Sequence, residues 1–477
     1  MSQFNKEKIE IVIKKNLSNH NFICSTTIVG SFNDFSSLSS VSDIDIVVII
    51  DKIDENKYNL IINSIKNIQP DQLGLSKFSI KVNPTFGPLK FDSPDLIIFH
   101  LMIYDIEGHI NHVEKSPFTC LDWELAKPII GFPLKKIYPV LFVKLDDLVK
   151  SRRGLESYLN DIKNNKISYR EYSFVNGECT LILKNKKLEK KDSLEYSYHI
   201  SKNLFLNLFK ILTQTNSKLK PNKLISFFND FRYDLSFELN LLKELSNWKH
   251  KGSKAPENIL LKMNDFIISF FDFLSFIENN SKQVSFYRHA KTTLNDGSFL
   301  GIHRDPDIIH TNKIKDNYCY DIGFSSNLQR AKSTLNFFSY RKTEIDDRLN
   351  EINYGLVEGK NKEYIEKNYN YIIKGWNNRE DPRFPKGENQ KDVSIRVKAF
   401  LEDLNNRDDF NSVLIITHLV FLRVMMHIIL NISLWQIHKI QIYNLEKIDV
   451  LIFKKRIIPS FSHEIRKRIR ENFKNES

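Results

Sequence analysis

The sequence predicts a multidomain protein that combines α/β and α+β architecture, and three observations support this fold class. The chain has 477 residues, enough for about three domains at roughly 150 residues each. Hydrophobic residues make up 41% and aromatic residues 12% of the chain, so several cores can be filled and global disorder is excluded. The hydrophobic pattern also changes twice along the chain, which predicts domains at 1–140, 141–280 and 281–477.

The first predicted domain, residues 1–140, begins with a short amphipathic helix and continues with apolar runs. The helix is predicted at Ile9–Leu17. The runs have the length and composition of strands, and they are Phe22–Val29, Ile44–Ile50, Phe78–Val82 and Leu96–Tyr104.

Residues 141–280 are predicted to be mostly helical, because apolar residues recur three and four positions apart. The clearest helical segments are Leu145–Leu159, Ser193–Leu212 and Ile259–Ile277. Only Tyr172–Leu183 has the pattern of a hairpin, with Asn176-Gly177 as its turn.

From residue 281 onwards the chain alternates between strands and helices. Strands are predicted at Val284–Tyr287 and Val413–Thr417, and helices are predicted to begin at Asn327, Val393 and Val420. This alternation indicates a parallel sheet covered by helices.

The chain is basic, with 70 Lys and Arg against 58 Asp and Glu and a net charge of +12. A basic surface attracts polyanions, and it also suits phosphorylated substrates. The same excess of lysine is produced by an AT-rich genome, and the basic residues are spread along the chain. The charge therefore does not by itself identify a nucleic-acid partner.

The cysteines and the apolar runs exclude two further classes of protein. The four cysteines lie far apart, so neither a zinc site nor a disulfide framework is predicted. The longest apolar run, Val413–Leu430, contains Arg423, and a central arginine costs about 2.5–3.5 kcal/mol on membrane-insertion scales. The N-terminus is polar, and the sequence predicts a cytoplasmic protein with no membrane partner.

A first group of candidate functional residues lies between the first two predicted strands. One strand ends in Gly30-Ser31, and the next carries Asp43 and Asp45. The two-residue period of a strand directs both carboxylates to one face. Two adjacent carboxylates repel unless a cation lies between them, and carboxylates that act together with substrate phosphates suit Mg²⁺.

This pattern resembles the nucleotidyltransferase superfamily of the polymerase-beta type over roughly residues 20–110. The resemblance implies a mixed-sheet domain in which Gly30 and Ser31 hold the triphosphate of an NTP, while Asp43 and Asp45 bind Mg²⁺ or Mn²⁺. It also implies a third carboxylate on a later strand, for which Asp95 is the best candidate.

Three other residues near this site have two interpretations each. His100, in the middle of the strand after Asp95, is predicted to be a hydrogen-bonded core histidine rather than a functional one. Arg152 and Arg153 could reach a phosphate, but a pair of arginines more often marks the solvated face of a helix.

A second group of candidate residues lies in the C-terminal third. Arg288-His289 follows one predicted strand, His418 ends another, and Arg330 lies in the helix after a third. Because carboxyl ends of parallel strands meet at one edge of a sheet, these side chains are expected to converge. Two guanidinium groups and two imidazoles make a phosphate pocket, and a neutral histidine can attack phosphorus.

The order of these motifs resembles the histidine phosphatase superfamily, whose members are phosphoglycerate-mutase-like, over about residues 281–430. The matching segments are Arg288–Asn295, Ser325–Ala331, Leu349–Glu351 with Gly355, and His418. The resemblance implies a three-layer α/β domain with His289 as nucleophile and Glu351 as acid and base, and it implies no metal.

The same resemblance implies the residues that hold the substrate. Arg288, Arg330 and His418 form its phosphate pocket, and Asn295 and Thr292 also bind the phosphate.

The sequence therefore predicts a bifunctional enzyme. One half transfers a nucleotide from an NTP to a small phosphorylated or hydroxylated molecule, and the other hydrolyses a phosphomonoester. Two alternatives stay open. In one, a catalytically silent N-terminal domain binds a nucleotide and regulates the phosphatase. In the other, the protein modifies RNA ends, which only the charge supports.

Overall fold

The computed structural model describes residues 6–33, 43–76, 78–87, 96–231, 233–294, 296–309 and 318–474. These residues fall into two units. The N-terminal unit is drawn from Met1–Phe209, Asn216–Asp272 and Phe473–Ser477, and the C-terminal unit from Lys210–Thr215 and Phe273–Asn472. The division into three domains stays a prediction.

Over the first 280 residues the elements are α1 (Lys6–Leu17), β1 (Ile23–Val29), β2 (Asp43–Ile50), α2 (Glu55–Lys66), β3 (Ser79–Asn83), β4 (Leu96–Asp105), α3 (Ile106–Lys115), α4 (Pro117–Trp123), β5 (Pro128–Gly131), α5 (Leu134–Ile137), α6 (Leu145–Lys150), α7 (Leu155–Lys163), β6 (Lys166–Val175), β7 (Glu178–Lys187), α8 (Lys190–Thr213), α9 (Pro221–Asn229), α10 (Ser236–Lys251) and α11 (Ile259–Asn279).

From residue 281 onwards they are β8 (Lys282–Arg288), β9 (Cys319–Ser325), α12 (Gln329–Leu335), β10 (Ser339–Ile345), α13 (Lys362–Asn368), α14 (Asn370–Asn377), α15 (Gln390–Asn406), β11 (Ser412–Thr417), α16 (Leu419–Leu430), β12 (Lys447–Phe453), β13 (Arg456–Pro459) and α17 (His463–Phe473). Among the described residues, none of these helices is long and apolar enough to cross a membrane.

The sheet of the N-terminal unit is mixed, with strand order β3-β4-β2-β1-β5. The β3/β4 and β4/β2 pairs are parallel, and the β2/β1 and β1/β5 pairs are antiparallel. One face is covered by apolar residues of α1 and α2, which pack on Ile44 and Ile46 of β2. Period two therefore leaves Asp43 and Asp45 on the opposite face, as the sequence predicts.

The predicted hairpin is confirmed as the antiparallel pair β6/β7. Asn176 and Gly177 both have positive φ, 51° and 81°, which is the conformation of a type I′ turn.

The predicted helix over Leu145–Leu159 is wrong, because the chain turns between α6 and α7. Arg153 has a φ of 61°, in the left-handed region, which interrupts a right-handed helix. Gly154 passes close to the preceding helix, since a Cβ there would lie 2.7 Å from the carbonyl oxygen of Leu148.

The sheet of the C-terminal unit has strand order β10-β9-β11-β8-β12-β13. The strands from β10 to β8 are parallel, which confirms the sequence prediction for this part. The prediction did not include β12 and β13, which extend the sheet as antiparallel strands. The helix predicted from Asn327 begins at Gln329, and those predicted from Val393 and Val420 begin at Gln390 and Leu419.

Candidate functional site

The carboxyl ends of two neighbouring strands bring the C-terminal candidate residues together. In the parallel pair β8/β11, Arg288 lies opposite Thr417. The residues that follow, His289 and His418, therefore lie side by side, with ring centroids 5.0 Å apart.

The surroundings of His289 fix its protonation state. Its backbone N–H donates to the carbonyl of Thr417 at 2.9 Å, and its Nδ1 lies 2.7 Å from the carbonyl oxygen of Ala290. A carbonyl only accepts, so Nδ1 carries the proton and Nε2 carries a lone pair. Burial and the charge of Arg330 lower the pKa of His289 to about 3, so the ring is neutral at physiological pH.

His418 is fully buried and uses both ring nitrogens. Its Nδ1 accepts from Nε of Arg330 at 3.3 Å, so its Nε2 carries the proton and donates to Oγ of Ser326 at 2.7 Å. Burial, reinforced by the charge of Arg330, lowers the pKa of His418 well below its ordinary value. In this structure His418 is a neutral contact that holds Arg330 and Ser326.

The guanidinium group of Arg330 is held mainly by backbone carbonyls. Its Nη2 donates to the carbonyl of Gly301 at 2.8 Å, and its Nη1 donates to the carbonyl of Arg304 and to Oδ1 of Asp305, both at 3.1 Å. The side chain is fully buried, and burial lowers its pKa although Glu351 and Asp305 oppose that shift. A planar cation fixed in this way can bind oxyanions without reorganisation.

Arg288 contributes a second guanidinium group with unused hydrogen-bonding capacity. Its Nη1 donates to the carbonyl of Ile442 at 2.9 Å. Its Nε is buried and has no hydrogen-bond partner among the residues that the structure describes. A buried donor without a partner costs about 1–3 kcal/mol, which an anionic ligand would recover.

Glu351 is a buried carboxyl group near both arginines. Its Oε1 accepts the N–H groups of Ile352 at 3.0 Å and of Val420, in the first turn of α16, at 3.1 Å. Burial raises the pKa of Glu351, against the opposing charges of Arg330 and Arg288. Since Oε1 accepts two hydrogen bonds, a proton on this group resides on Oε2.

The two remaining predicted phosphate-binding residues are less informative. Thr292 is fully buried and forms a short antiparallel bridge with Ile308. Asn295 lies outside the described residues.

Several residues that sequence reasoning missed hold this site in place. Arg396 of α15 donates to the carbonyls of Arg348, Asn350 and Glu351 at 2.7, 2.7 and 3.1 Å, and so fixes the segment that carries Glu351. Ser326 lies within the predicted Ser325–Ala331 motif, and only the structure shows that its Oγ hydrogen-bonds His418. Nothing in the sequence near Arg396 indicated its partners, because they lie almost 50 residues away.

The N-terminal unit brings a different set of residues together. Ligand atoms of Asp43, Asp45 and His100 all lie within 4.8 Å of one another. The parallel register of β2 and β4 sets Asp45 opposite His100. The prediction that His100 is a hydrogen-bonded histidine is confirmed, but its partner is one of the two predicted metal ligands.

The ring of His100 is fixed at both nitrogens. Its Nε2 donates to the carbonyl of Thr85 at 2.7 Å. Its other nitrogen, Nδ1, lies 2.7 Å from Oδ1 of Asp45. Burial opposes the charged form of His100, but the hydrogen bond and charge of Asp45 outweigh it and raise the pKa.

These residues fit a divalent cation. Metal-binding histidines commonly donate their other N–H to a backbone carbonyl, as His100 does to Thr85. Carboxylates suit Mg²⁺ and Mn²⁺, and imidazole suits transition metals such as Fe²⁺ and Zn²⁺.

The other predicted residues of the N-terminal site are Gly30, Ser31 and Asp95. Gly30 has a φ of 75°, and a Cβ there would lie 2.3 Å from Oδ2 of Asp45, so only glycine fits. Ser31 lies in the same short 3₁₀ turn, Gly30–Asn33. Asp95, the predicted third carboxylate, lies outside the described residues.

Comparison with known proteins concerns the C-terminal part of the chain. Residues 284–456 match the model of the histidine phosphatase superfamily, branch 1. Phosphoserine phosphatase 1 of Hydrogenobacter thermophilus is 29% identical over 162 residues, which cover 31% of this chain and 75% of that protein.

Two solved structures are also similar. Phosphoserine phosphatase from Entamoeba histolytica, in complex with 3-phosphoglyceric acid, shows 22% identity over 38% of this chain and 98% of its own, with a TM-score of 0.33. The alpha-ribazole phosphatase from Shigella flexneri shows 19% identity over 38% and 95%, with a TM-score of 0.33. On the family match, residues 284–456 form a histidine phosphatase domain, and the protein is an enzyme.

Proposed function

We propose that the C-terminal domain hydrolyses phosphomonoesters through a phosphohistidine on His289. The observation that carries this proposal is the unprotonated Nε2 of His289, which has a buried, protonatable Glu351 and two guanidinium groups as its neighbours. The membership of this domain in the histidine phosphatase superfamily supports the same reaction class.

The reaction proceeds in two displacements. In the first, the lone pair of Nε2 of His289 attacks phosphorus, the bond from phosphorus to the alcohol oxygen breaks, and Glu351 gives its proton to that oxygen. In the second, water attacks the phosphohistidine, Glu351 takes a proton from the water, and the bond from phosphorus to Nε2 breaks. Arg288 and Arg330 stabilise the charge on the phosphoryl oxygens in both steps.

Small phosphomonoesters are the proposed substrates, with phosphoserine the first to test because a phosphoserine phosphatase is similar in sequence. The test is labelling of the full chain during turnover of a ³²P-phosphomonoester. We expect an acid-labile, base-stable label on wild-type protein and none on His289→Ala. A label that persists in His289→Ala, or hydrolysis that stops on addition of EDTA, would contradict this mechanism.

We further propose that the N-terminal unit transfers a nucleotide from an NTP to a small hydroxylated or phosphorylated acceptor. The specific observation is the convergence of Asp43 and Asp45 beside Gly30, with His100 as a third metal ligand. A divalent cation held there would neutralise the phosphates and activate the acceptor oxygen.

This second function is tested by incubating the full chain with each α-³²P-NTP, Mn²⁺ or Mg²⁺, and cell metabolites. We expect release of pyrophosphate and a labelled product that depends on the metal. Metal and NTP binding without any transfer would favour a regulatory N-terminal unit instead. Labelled RNA as the sole product would favour RNA-end modification.

A further inference from the structure

Three arginines of the N-terminal unit form a cluster, and their partners among the described residues carry no negative charge. Arg152 and Arg153 lie in the turn between α6 and α7, and Arg170 lies on β6. We call these three residues the arginine cluster. Among the residues that the structure describes, no carboxylate forms an ion pair with any of them.

Aromatic residues pack between Arg170 of the arginine cluster and strand β4 of the sheet. Arg170 and Phe86 exchange backbone hydrogen bonds at 2.8 and 2.9 Å, and the guanidinium carbon of Arg170 lies 5.6 Å from the centroid of the Phe86 ring. The Phe86 ring lies 4.8 Å from that of Tyr104, whose hydroxyl hydrogen-bonds the Arg170 side chain. Tyr104 in turn stacks on His112 of α3 at 5.0 Å.

The same helix anchors the turn that carries the other two arginines. The backbone N–H of Arg152 donates to the carbonyl of Lys115, the last residue of α3, at 2.7 Å. Arg152 is half-buried and Arg153 is exposed, so the cluster opens to solvent on the side of Arg153. The sequence expectation of a solvated helix face is wrong, because neither arginine lies in a helix.

Several buried polar atoms in and next to the arginine cluster have no hydrogen-bond partner among the described residues. In the described part of the chain, Nη1 of Arg170 and both ring nitrogens of His112 are buried without a hydrogen-bond partner. Burial, reinforced by the charge of Arg170, lowers the pKa of Arg152 to about 10. Burial raises the pKa of Tyr104, so its phenol is neutral and does not offset these charges.

We infer that the arginine cluster is a binding site for a phosphoryl oxyanion. Guanidinium groups match the geometry of phosphoryl oxygens, and half-buried arginines without counterions are costly unless an anion binds. The inference goes beyond the proposed nucleotide transfer, and only the identity of the ligand rests on that proposed function.

The site lies on the same sheet face as the proposed metal ligands. Residues 97, 99, 101 and 103 of β4 pack in the core, so His100 and Tyr104 share the other face. Four residues of strand separate them by about 13 Å at ~3.3 Å per residue. Thr85, which binds His100, directly precedes Phe86. The phosphoryl group is therefore either part of the polyphosphate of an NTP or a phosphate on the acceptor.

The test is arginine footprinting with phenylglyoxal on the full chain, mapped by mass spectrometry. Inorganic pyrophosphate represents a polyphosphate, and methylphosphonate represents a monoester that the phosphatase cannot hydrolyse. We expect one or both to protect Arg152 and Arg170, while the exposed Arg341 reacts unchanged. Protection by methylphosphonate indicates a phosphorylated acceptor, and protection by pyrophosphate alone indicates an NTP.

The affinity for the anion is compared between wild-type protein and an Arg170 variant, as the anion concentration that gives half-maximal protection. Removing one charged hydrogen-bond donor from an oxyanion weakens binding by roughly 10- to 100-fold, so Arg170→Gln should raise the half-protecting concentration for Arg152 by that factor. Arg170→Lys should restore part of the affinity, and Arg341→Gln should change nothing. If neither anion protects Arg152 or Arg170 while both protect Arg288 and Arg330, the inference is wrong, whether or not nucleotide transfer is found.

Discussion

The two candidate catalytic sites are both built at neighbouring parallel strands, but they have opposite charge. In the C-terminal site, Arg288 and Arg330 surround a neutral His289, so the protein itself supplies the positive charge that a phosphate needs. In the N-terminal site, Asp43 and Asp45 concentrate negative charge, and His100 hydrogen-bonds Asp45. The arginines of the C-terminal site suit an anion directly, whereas the carboxylates of the N-terminal site suit a cation.

The hydrogen bonds around each site show the same contrast. His289, His418 and Arg330 are each held by protein groups in a single protonation state. At the N-terminal site, both nitrogens of His100 face oxygen acceptors, so that ring needs either a second proton or a metal at Nδ1. Variants that affect one site and leave the other intact test this contrast.

The largest expected effect is that of His289→Ala. Loss of the nucleophile should reduce phosphatase activity by at least about 10³-fold on alkyl and aryl esters alike, since both react through the same bond between phosphorus and Nε2. Mn²⁺ binding by the N-terminal unit should be unchanged. The measurement is phosphate release, with His438→Ala as control, because the His438 side chain is exposed and its Nδ1 lies 2.8 Å from the carbonyl oxygen of Trp435. Residual hydrolysis near the wild-type rate would refute the assignment.

The second effect is that of Asp45→Asn on metal binding. Losing a ligand should weaken Mn²⁺ binding by at least about 100-fold, since even the loss of an outer hydrogen-bond partner of a ligand costs 10–100-fold. Electron paramagnetic resonance of Mn²⁺ measures free and bound ion directly, and ¹⁴N coupling would report His100 as a ligand. Phosphatase activity should not change. Asp51→Asn is the matched control, since Asp51 is exposed and pairs with Lys57. Equal Mn²⁺ affinity in both variants would show that Asp45 does not bind the metal.

The third effect depends on the leaving group. Glu351→Gln should slow alkyl phosphates by about 10²–10⁴-fold, but aryl phosphates much less, because an aryl alcohol leaves without a proton. The acid must be protonated, so wild-type activity on alkyl esters should fall as pH rises through the raised pKa of Glu351. The activity of Glu351→Gln on alkyl esters should not fall over the same pH range. Equal losses on p-nitrophenyl phosphate and phosphoserine, measured across pH, would show that Glu351 is not the proton donor.

The smallest expected effect is that of Glu358→Gln. The Glu358 carboxylate accepts the N–H groups of Ile302, His303 and Arg304 at 2.8–3.0 Å, and this loop supplies two carbonyls to Arg330. Losing part of that support should raise KM for a phosphomonoester by roughly three- to tenfold, as expected for one or two weakened hydrogen bonds. The pH profile should not move. A large fall in kcat with KM unchanged would instead point to a direct role in the reaction.

The strands that carry both sites were predictable from the sequence. Buried strands such as β2, β4, β8 and β11 appear as apolar runs, and the predicted bounds agree with the structure to within two residues. The break between α6 and α7 was not predictable, since Leu145–Leu159 keeps helical spacing throughout. The antiparallel β12 and β13 were also missed, because pairing direction depends on a partner elsewhere in the chain.

The sequence by itself determined which residue types could carry chemistry and on which strand each one lies. Period two set Asp43 and Asp45 on one face, and four ordered motifs indicated His289, Arg330, Glu351 and His418. Folding sets His100 opposite Asp45, packs Arg396 against the backbone of Glu351, and brings Arg170 near Arg152 with no described carboxylate paired to either. The physical reason is that register, burial and hydrogen-bond partners bring together residues tens of positions apart, whereas periodicity and spacing record only local neighbours.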